Sequence, residues 1–148
     1  MARYVAKVTT NRSPEDAFAY MSDLTNFAEW DPGVTKVEVV EGAELDPPLE
    51  VDVTVTSVVG ELTLRYALTQ FEPHRRAVAK AETRILRSLD IILVEPTDDG
   101  CVVTYDAELT LRGPLAPLGG LLQPAFNKIG DKAAAGMADA LDGTLVEA

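Results

Sequence analysis

The sequence predicts an α+β fold: a curved, seven-stranded antiparallel sheet around one long C-terminal helix, with two short helices after the first strand. Three observations predict it. In residues 113–141 the larger apolar positions are Leu118, Leu121, Leu122, Phe126, Ile129, Ala133, Met137 and Leu141. Their steps of three and four are the helical period, so they form one stripe. Upstream, most of the chain alternates between apolar and polar residues, the period of a strand with one dry face. The stripe needs a large apolar surface to lie on, and only the dry face of that sheet offers one. Strands this few suit a sheet that bends around a single helix.

The elements follow in order. Residues 3–11 place Tyr4, Ala6, Val8 and Thr10 on one face of a first strand. Ser13 then caps a helix, Pro14 suits its first position, and Glu15 and Asp16 meet the positive end of its dipole. Ala17, Phe18 and Met21 form its buried edge. A second helical piece, about 24–30, stops at Asp31-Pro32-Gly33. Residues 35–40 make the second strand, and 42–48 a turn-rich loop. Strands 49–59 and 62–69 alternate strictly around a reversal at Gly60 and Glu61, which makes a hairpin. A turn at Glu72-Pro73-His74-Arg75 leads to a weaker strand, 77–83. Residues 89–94 are apolar on both faces, so which side points inward is open. After an acidic turn, 97–100, comes the clearest strand, with Val103, Tyr105, Ala107, Leu109 and Leu111 inward.

The totals limit what the protein can be. A chain of 148 residues, 47% hydrophobic and 25% charged, is one globular domain, 1–148, with a substantial core. A net charge of −11 opposes phosphate backbones and anionic headgroups, so neither nucleic-acid binding nor stable membrane insertion is expected. One cysteine, Cys101, and one histidine, His74, exclude an internal disulfide and argue against a metal site. No residue spacing suggests a phosphate loop or a nucleophile elbow, and no cofactor is expected. With no signal-like or membrane-spanning run, the expected location is cytoplasmic.

Residues 13–34, SPEDAFAYMSDLTNFAEWDPGV, carry a further signal in Pro14, Glu15, Phe18, Asp23, Trp30, Asp31, Pro32, Gly33 and Val34. A strand closing in Leu-x-Leu-x-Gly-Pro-Leu, 109–115, and a helix with Ile129-Gly130-Asp131 and a late Leu141 complete it. Over essentially its whole length the chain resembles the START-like superfamily, also called SRPBCC or Bet v 1-like. Within it, the chain looks most like the polyketide cyclase/dehydrase and lipid transport branch. The resemblance implies the helix-grip fold and a deep, mainly apolar pocket between sheet and helix. Fold alone does not convey activity, because the superfamily includes carriers, cyclases and receptors.

Candidate residues follow from position. Small residues at Gly130, Ala133, Ala134, Ala135 and Gly136 face Ala77, Ala79, Ala81 and Ala107. That pattern favours open space, with close backbone approach as the alternative. Expected pocket walls are Trp30, Leu64, Tyr66, Ala79, Ile92, Tyr105, Ala107, Leu122, Phe126 and Ile129. Trp30 walls the pocket or plugs the end of the core; each tyrosine needs a hydrogen-bond partner or a ligand. Asp90 is the candidate for catalysis. If even positions of its strand face inward, it is a carboxylate in an apolar wall, and desolvation would poise it as a general base. Otherwise it pairs with Arg84 or Arg87. His74 is expected at an exposed tip, and Cys101 is expected to be unreactive beside acids. The first functional expectation is binding of a hydrophobic small molecule such as a lipid, polyketide or aromatic metabolite. The second is a polyketide cyclase or aromatase using Asp90 or a tyrosine for proton transfer. The third is a dimerising interaction module, with Ile91 and Leu93 outward.

Overall fold

A computed structural model describes residues 1–40, 48–57 and 60–146. The expected loop at 42–48 lies outside the described residues except for Pro48, and the expected reversal at Gly60 and Glu61 is instead the start of a strand, with Gly60 opposite Ser57 and Glu61 opposite Thr56. The strands are β1 (Ala2–Thr10), β2 (Val34–Val39), β3 (Glu50–Ser57), β4 (Gly60–Glu72), β5 (Arg76–Glu82), β6 (Leu86–Pro96), β7 (Cys101–Leu111) and β8 (Thr144–Leu145). They form one antiparallel sheet in the order β2-β3-β4-β5-β6-β7-β1-β8. The expected seven strands become eight because the chain after the last helix returns to the outer edge of β1, pairing Val8 with Leu145. Two residues carry no readable period, so this strand leaves no trace in the sequence pattern.

Helix α1 (Pro14–Ser22) starts as expected, with Ser13 Oγ accepting from the Asp16 amide at 3.1 Å. A single 3-10 turn, Leu24–Asn26, leads into α2 (Phe27–Trp30), and Asp23 caps that turn through Thr25. His74 is exposed with φ 65°, at a tip where it meets the edge of Phe18. Cys101 is buried, and burial pushes its thiol up, as does nearby Glu15.

The C-terminal stripe needs a correction. Gly113–Leu121 is a continuous 3-10 run that contains Pro117, and α3 proper covers Gln123–Ala140. Its buried face is Gly130, Ala133, Ala134, Met137 and Ala138, extended by Leu141. Leu118 and Leu121 stand in water, and Ile129 is 48% exposed. The 3-10 run advances by three residues per turn instead of 3.6, so positions in phase by helical counting fall out of phase.

The small residues also act otherwise than expected. An ideal Cβ at Gly130 would overlap the Tyr4 ring, and one at Gly136 would overlap the Trp30 carbonyl oxygen. These glycines let α3 press onto β1 and α2, so close approach prevails over open space. The Tyr4 hydroxyl, donating to Asp131 Oδ1 at 2.6 Å, ties the first contact down. The alanines of β5 serve a related purpose. Ala67 pairs with Lys80 and Ala81 with Ser88, so the Tyr66 side chain crosses Ala81 to reach Ser88 two strands away.

Candidate functional site

The phase of β6 decides the site. Leu86, Ser88, Asp90, Ile92 and Val94 are buried, whereas Leu89, Ile91 and Leu93 are half-buried on the outer face. Asp90 therefore points into the grip, and Arg84 and Arg87, both exposed, are not its partners. Asp90 is 4% exposed in a wall of Ile92, Tyr105, Trp30 and Phe27.

These residues, with Met21, Asp23 and Leu24, line a small, partly open cavity of about 10 Å³. That is room for about one water molecule. The deep pocket implied by the family resemblance is largely filled. Trp30 stacks on Phe27 at 4.9 Å and meets Tyr105 edge-on at 5.1 Å, so one ring both plugs the core and walls the cavity.

The polar groups inside are few. Tyr66 and Ser88 share a buried hydrogen bond of 2.6 Å. The Tyr105 phenol lies beside Asp90 and favours its ionised form, yet Asp90 Oδ2 has no partner, the one such buried side-chain atom among the described residues. Asp31 is buried nearby, its Oδ1 accepting from the Gly33 amide at 2.9 Å. Burial and the neighbouring Asp31 charge push Asp90 up to about 7. Burial also raises Asp31 and drives the phenols of Tyr66 and Tyr105 well above their ordinary value. No cationic side chain lines the cavity. A carboxylate of this kind can accept a hydrogen bond from a ligand or, near neutral pH, take up a proton.

Of the sequence-expected residues, the fold brings together Trp30, Asp90, Ile92 and Tyr105 around the cavity. Leu64, Tyr66, Ala79 and Ala107 are buried in the grip beside it. Leu122, just before α3, and Phe126, in its first turn, are half-buried, and Ile129 is exposed, off the face that meets the sheet. Sequence reasoning missed Phe27, Ser88 and Asp31 as site residues. Ser88 follows at once when Asp90 is placed inward, since it lies two positions away on the same strand. The burial of Asp31 depends on how α2 ends and has no sequence signal.

Inward residues lose cover toward one end of the grip. Along β3, Val51 and Val53 are buried and Val55 is half-buried; along β7, Tyr105 and Ala107 are buried and Leu109 and Leu111 are not fully covered. Leu62 and Phe126 are also half-buried and complete an apolar mouth. A second hollow, lined by Arg12, Tyr20, Glu29 and Asp139, is a polar surface cleft outside the grip. Among the described residues no helix is long and apolar enough to cross a membrane.

A curved antiparallel sheet closed over a C-terminal helix, with a small polar cluster inside an apolar grip, defines a START-like helix-grip protein. The chain belongs to the polyketide cyclase/dehydrase and lipid transport family, whose model matches residues 1–142. A START superfamily protein from Mycobacterium smegmatis is similar with a TM-score of 0.75 at 10% identity, over 95% of this chain and 96% of that one. TTHA0849 from Thermus thermophilus gives 0.68 at 18% identity, over 95% of each chain. The di-domain ARO/CYC protein StfQ of the steffimycin biosynthetic pathway gives 0.69 at 15% identity, over 95% of this chain and 51% of that one. At such identities these likenesses show the fold alone. No curated protein matches the sequence.

Proposed function

We propose that this protein binds a hydrophobic small molecule inside the grip, with the molecule's apolar body toward the mouth at Val55, Leu62, Leu109, Leu111 and Phe126. The observation that carries this reading is that these side chains point inward and yet are only half covered. Family membership supports it. The cavity is far below the roughly 300–1,000 Å³ of an ordinary ligand pocket, so binding requires the cover to shift. The first half of α3 and the 3-10 run before it are suited to that. Leu118, Leu121 and Ile129 stand in water there, and covering a ligand would stabilise them by about 25 cal/mol per Å² of apolar surface buried. A cytoplasmic setting belongs to the same reading and rests on composition, with one unpaired, buried cysteine.

The test is thermal stability against a panel of apolar ligands, with native mass spectrometry of the purified protein. A true ligand at a hundred times its Kd raises stability by about 2.7 kcal/mol. A panel of lipids, polyketide-like aromatics and alkyl chains without any shift, and no co-purified molecule, would sink the proposal.

A cyclase or aromatase reading has one observation of its own: a buried carboxylate raised to about 7, on the same cavity wall as Tyr105. On that reading Asp90→Asn keeps affinity for a poly-β-ketone substrate and loses turnover. Equal turnover by both proteins would discard it. Homodimerisation is a separate reading, resting on the outward, half-buried Ile91 and Leu93, and sedimentation over a range of concentrations tests it.

A further inference from the structure

We infer that the cavity at Asp90 is a head-group subsite that takes a hydrogen-bond donor, a hydroxyl or an ammonium, and rejects carboxylate-headed ligands such as free fatty acids. This rests on the binding reading above and names the chemistry of the molecule's inner end.

Asp90 lines the cavity, and its buried Oδ2 has no partner. A buried acceptor without a donor costs about 1–3 kcal/mol, and a donor placed in the cavity recovers that cost. The cavity admits about one non-hydrogen atom, so only the tip of a ligand reaches it. Met21, Leu24, Phe27, Trp30 and Ile92 supply most of the remaining wall, and it is apolar. The Tyr66 and Ser88 hydroxyls are already engaged with one another. Asp90 Oδ2 is the buried acceptor left without a partner.

Charge gives the selectivity. The titratable groups around Asp90 are Asp31 from the end of α2, Asp23 from the 3-10 cap, Tyr66 from β4, and Tyr105 and Asp106 from β7. None is cationic. A ligand carboxylate would enter a desolvated site beside acids, with no lysine or arginine to meet it. A hydroxyl meets no such penalty, and an ammonium meets opposite charge. Above neutral pH Asp90 is ionised and the selectivity is greatest. As pH falls through about 7 it gains a proton that it can itself donate, so the bias against carboxylates weakens.

The experiment compares decanol, decylamine and decanoate at pH 8 by calorimetry and dye displacement, using wild-type protein and Asp90→Asn. Wild type should bind decanol or decylamine at least about tenfold more tightly than decanoate. Asp90→Asn should bring the two classes within about threefold, chiefly by gaining affinity for decanoate. On lowering the pH to 6, where decanoate is still ionised, its binding to wild type should strengthen. If the variant does not fold, the wild-type pH series decides alone. Equal affinity for all three heads at pH 8, or a preference for decanoate, would overturn the inference and leave the binding proposal standing. Binding of none of the three, together with no response to the wider ligand panel, would sink the binding proposal itself.

Discussion

Wild-type protein is expected to lose stability as pH rises from 5 to 8, and the Asp90→Asn variant is expected to lose much less. Asp90 has an ordinary value of 3.8 and is raised to about 7 by burial first and by Asp31 second. Between those values the folded state holds a proton that the unfolded state has released. Stability is therefore fully present below about pH 4 and is lost as pH climbs through about 7. The rise from 3.8 to about 7 corresponds to on the order of 4 kcal/mol at saturation. Asparagine keeps the shape and cannot ionise. At low pH the two proteins should be close in stability, since a protonated carboxyl and an amide are both neutral and occupy the same buried surroundings. At pH 8 the variant should be the more stable by a few kcal/mol. Asp31 is also raised by burial, so a shallower decline of the same sign should persist in the variant. Urea denaturation at pH 5, 6, 7 and 8 measures this directly. A flat wild-type profile, or equal slopes in the two proteins, would mean that Asp90 is paired in solution.

How far the sequence predicts this arrangement depends on whether a local period or a distant contact decides each feature. β7 alternates so strictly that the inward set from Val103 to Leu111 can be read directly, and Ser13-Pro14 marks α1 just as plainly. β6 cannot be phased that way, because both of its faces are apolar. Only pairing fixes it: Asp90 sits opposite Ala79 and Ala107, both on the concave face. The exposure of Leu118 and Leu121 has a different origin. Those leucines have helical spacing, but Pro114, Pro117 and a Gly119-Gly120 pair convert the run to a 3-10 path. The proline and glycine signal was present and the apolar period outweighed it. The small residues of α3 are ambiguous in principle. An alanine or glycine records that bulk is excluded without saying whether space or another backbone excludes it. Tyr4 beneath Gly130 and Trp30 beneath Gly136 answer that, and neither neighbour is near in sequence.

Gly136→Ala is expected to be among the most damaging single methyl additions to this fold. In an isolated helix the change would be favourable by up to about 1 kcal/mol, because alanine has the higher propensity. Here the new Cβ overlaps the Trp30 carbonyl oxygen, with the Trp30 carbonyl carbon close behind it. Both are backbone atoms of α2 and cannot rotate away as a side chain would. α2 and α3 must separate, and Trp30 and Phe27 must move with α2. Overpacking of this kind costs about 1–3 kcal/mol and sometimes more. With part of the aromatic stack lost as well, we expect a net loss of about 3 kcal/mol and a fall in Tm of roughly 6–12 °C for a domain of this size. Gly120→Ala is the control, since no atom lies within 4 Å of its added Cβ; it should leave Tm nearly unchanged. The same displacement ties stability to the site. Trp30 and Phe27 cover the Asp90 cavity, so moving α2 should enlarge it and increase binding of a hydrophobic dye at temperatures where the variant is still folded. Wild-type stability in Gly136→Ala would mean that α2 is free to shift at little cost and does not hold the cavity closed.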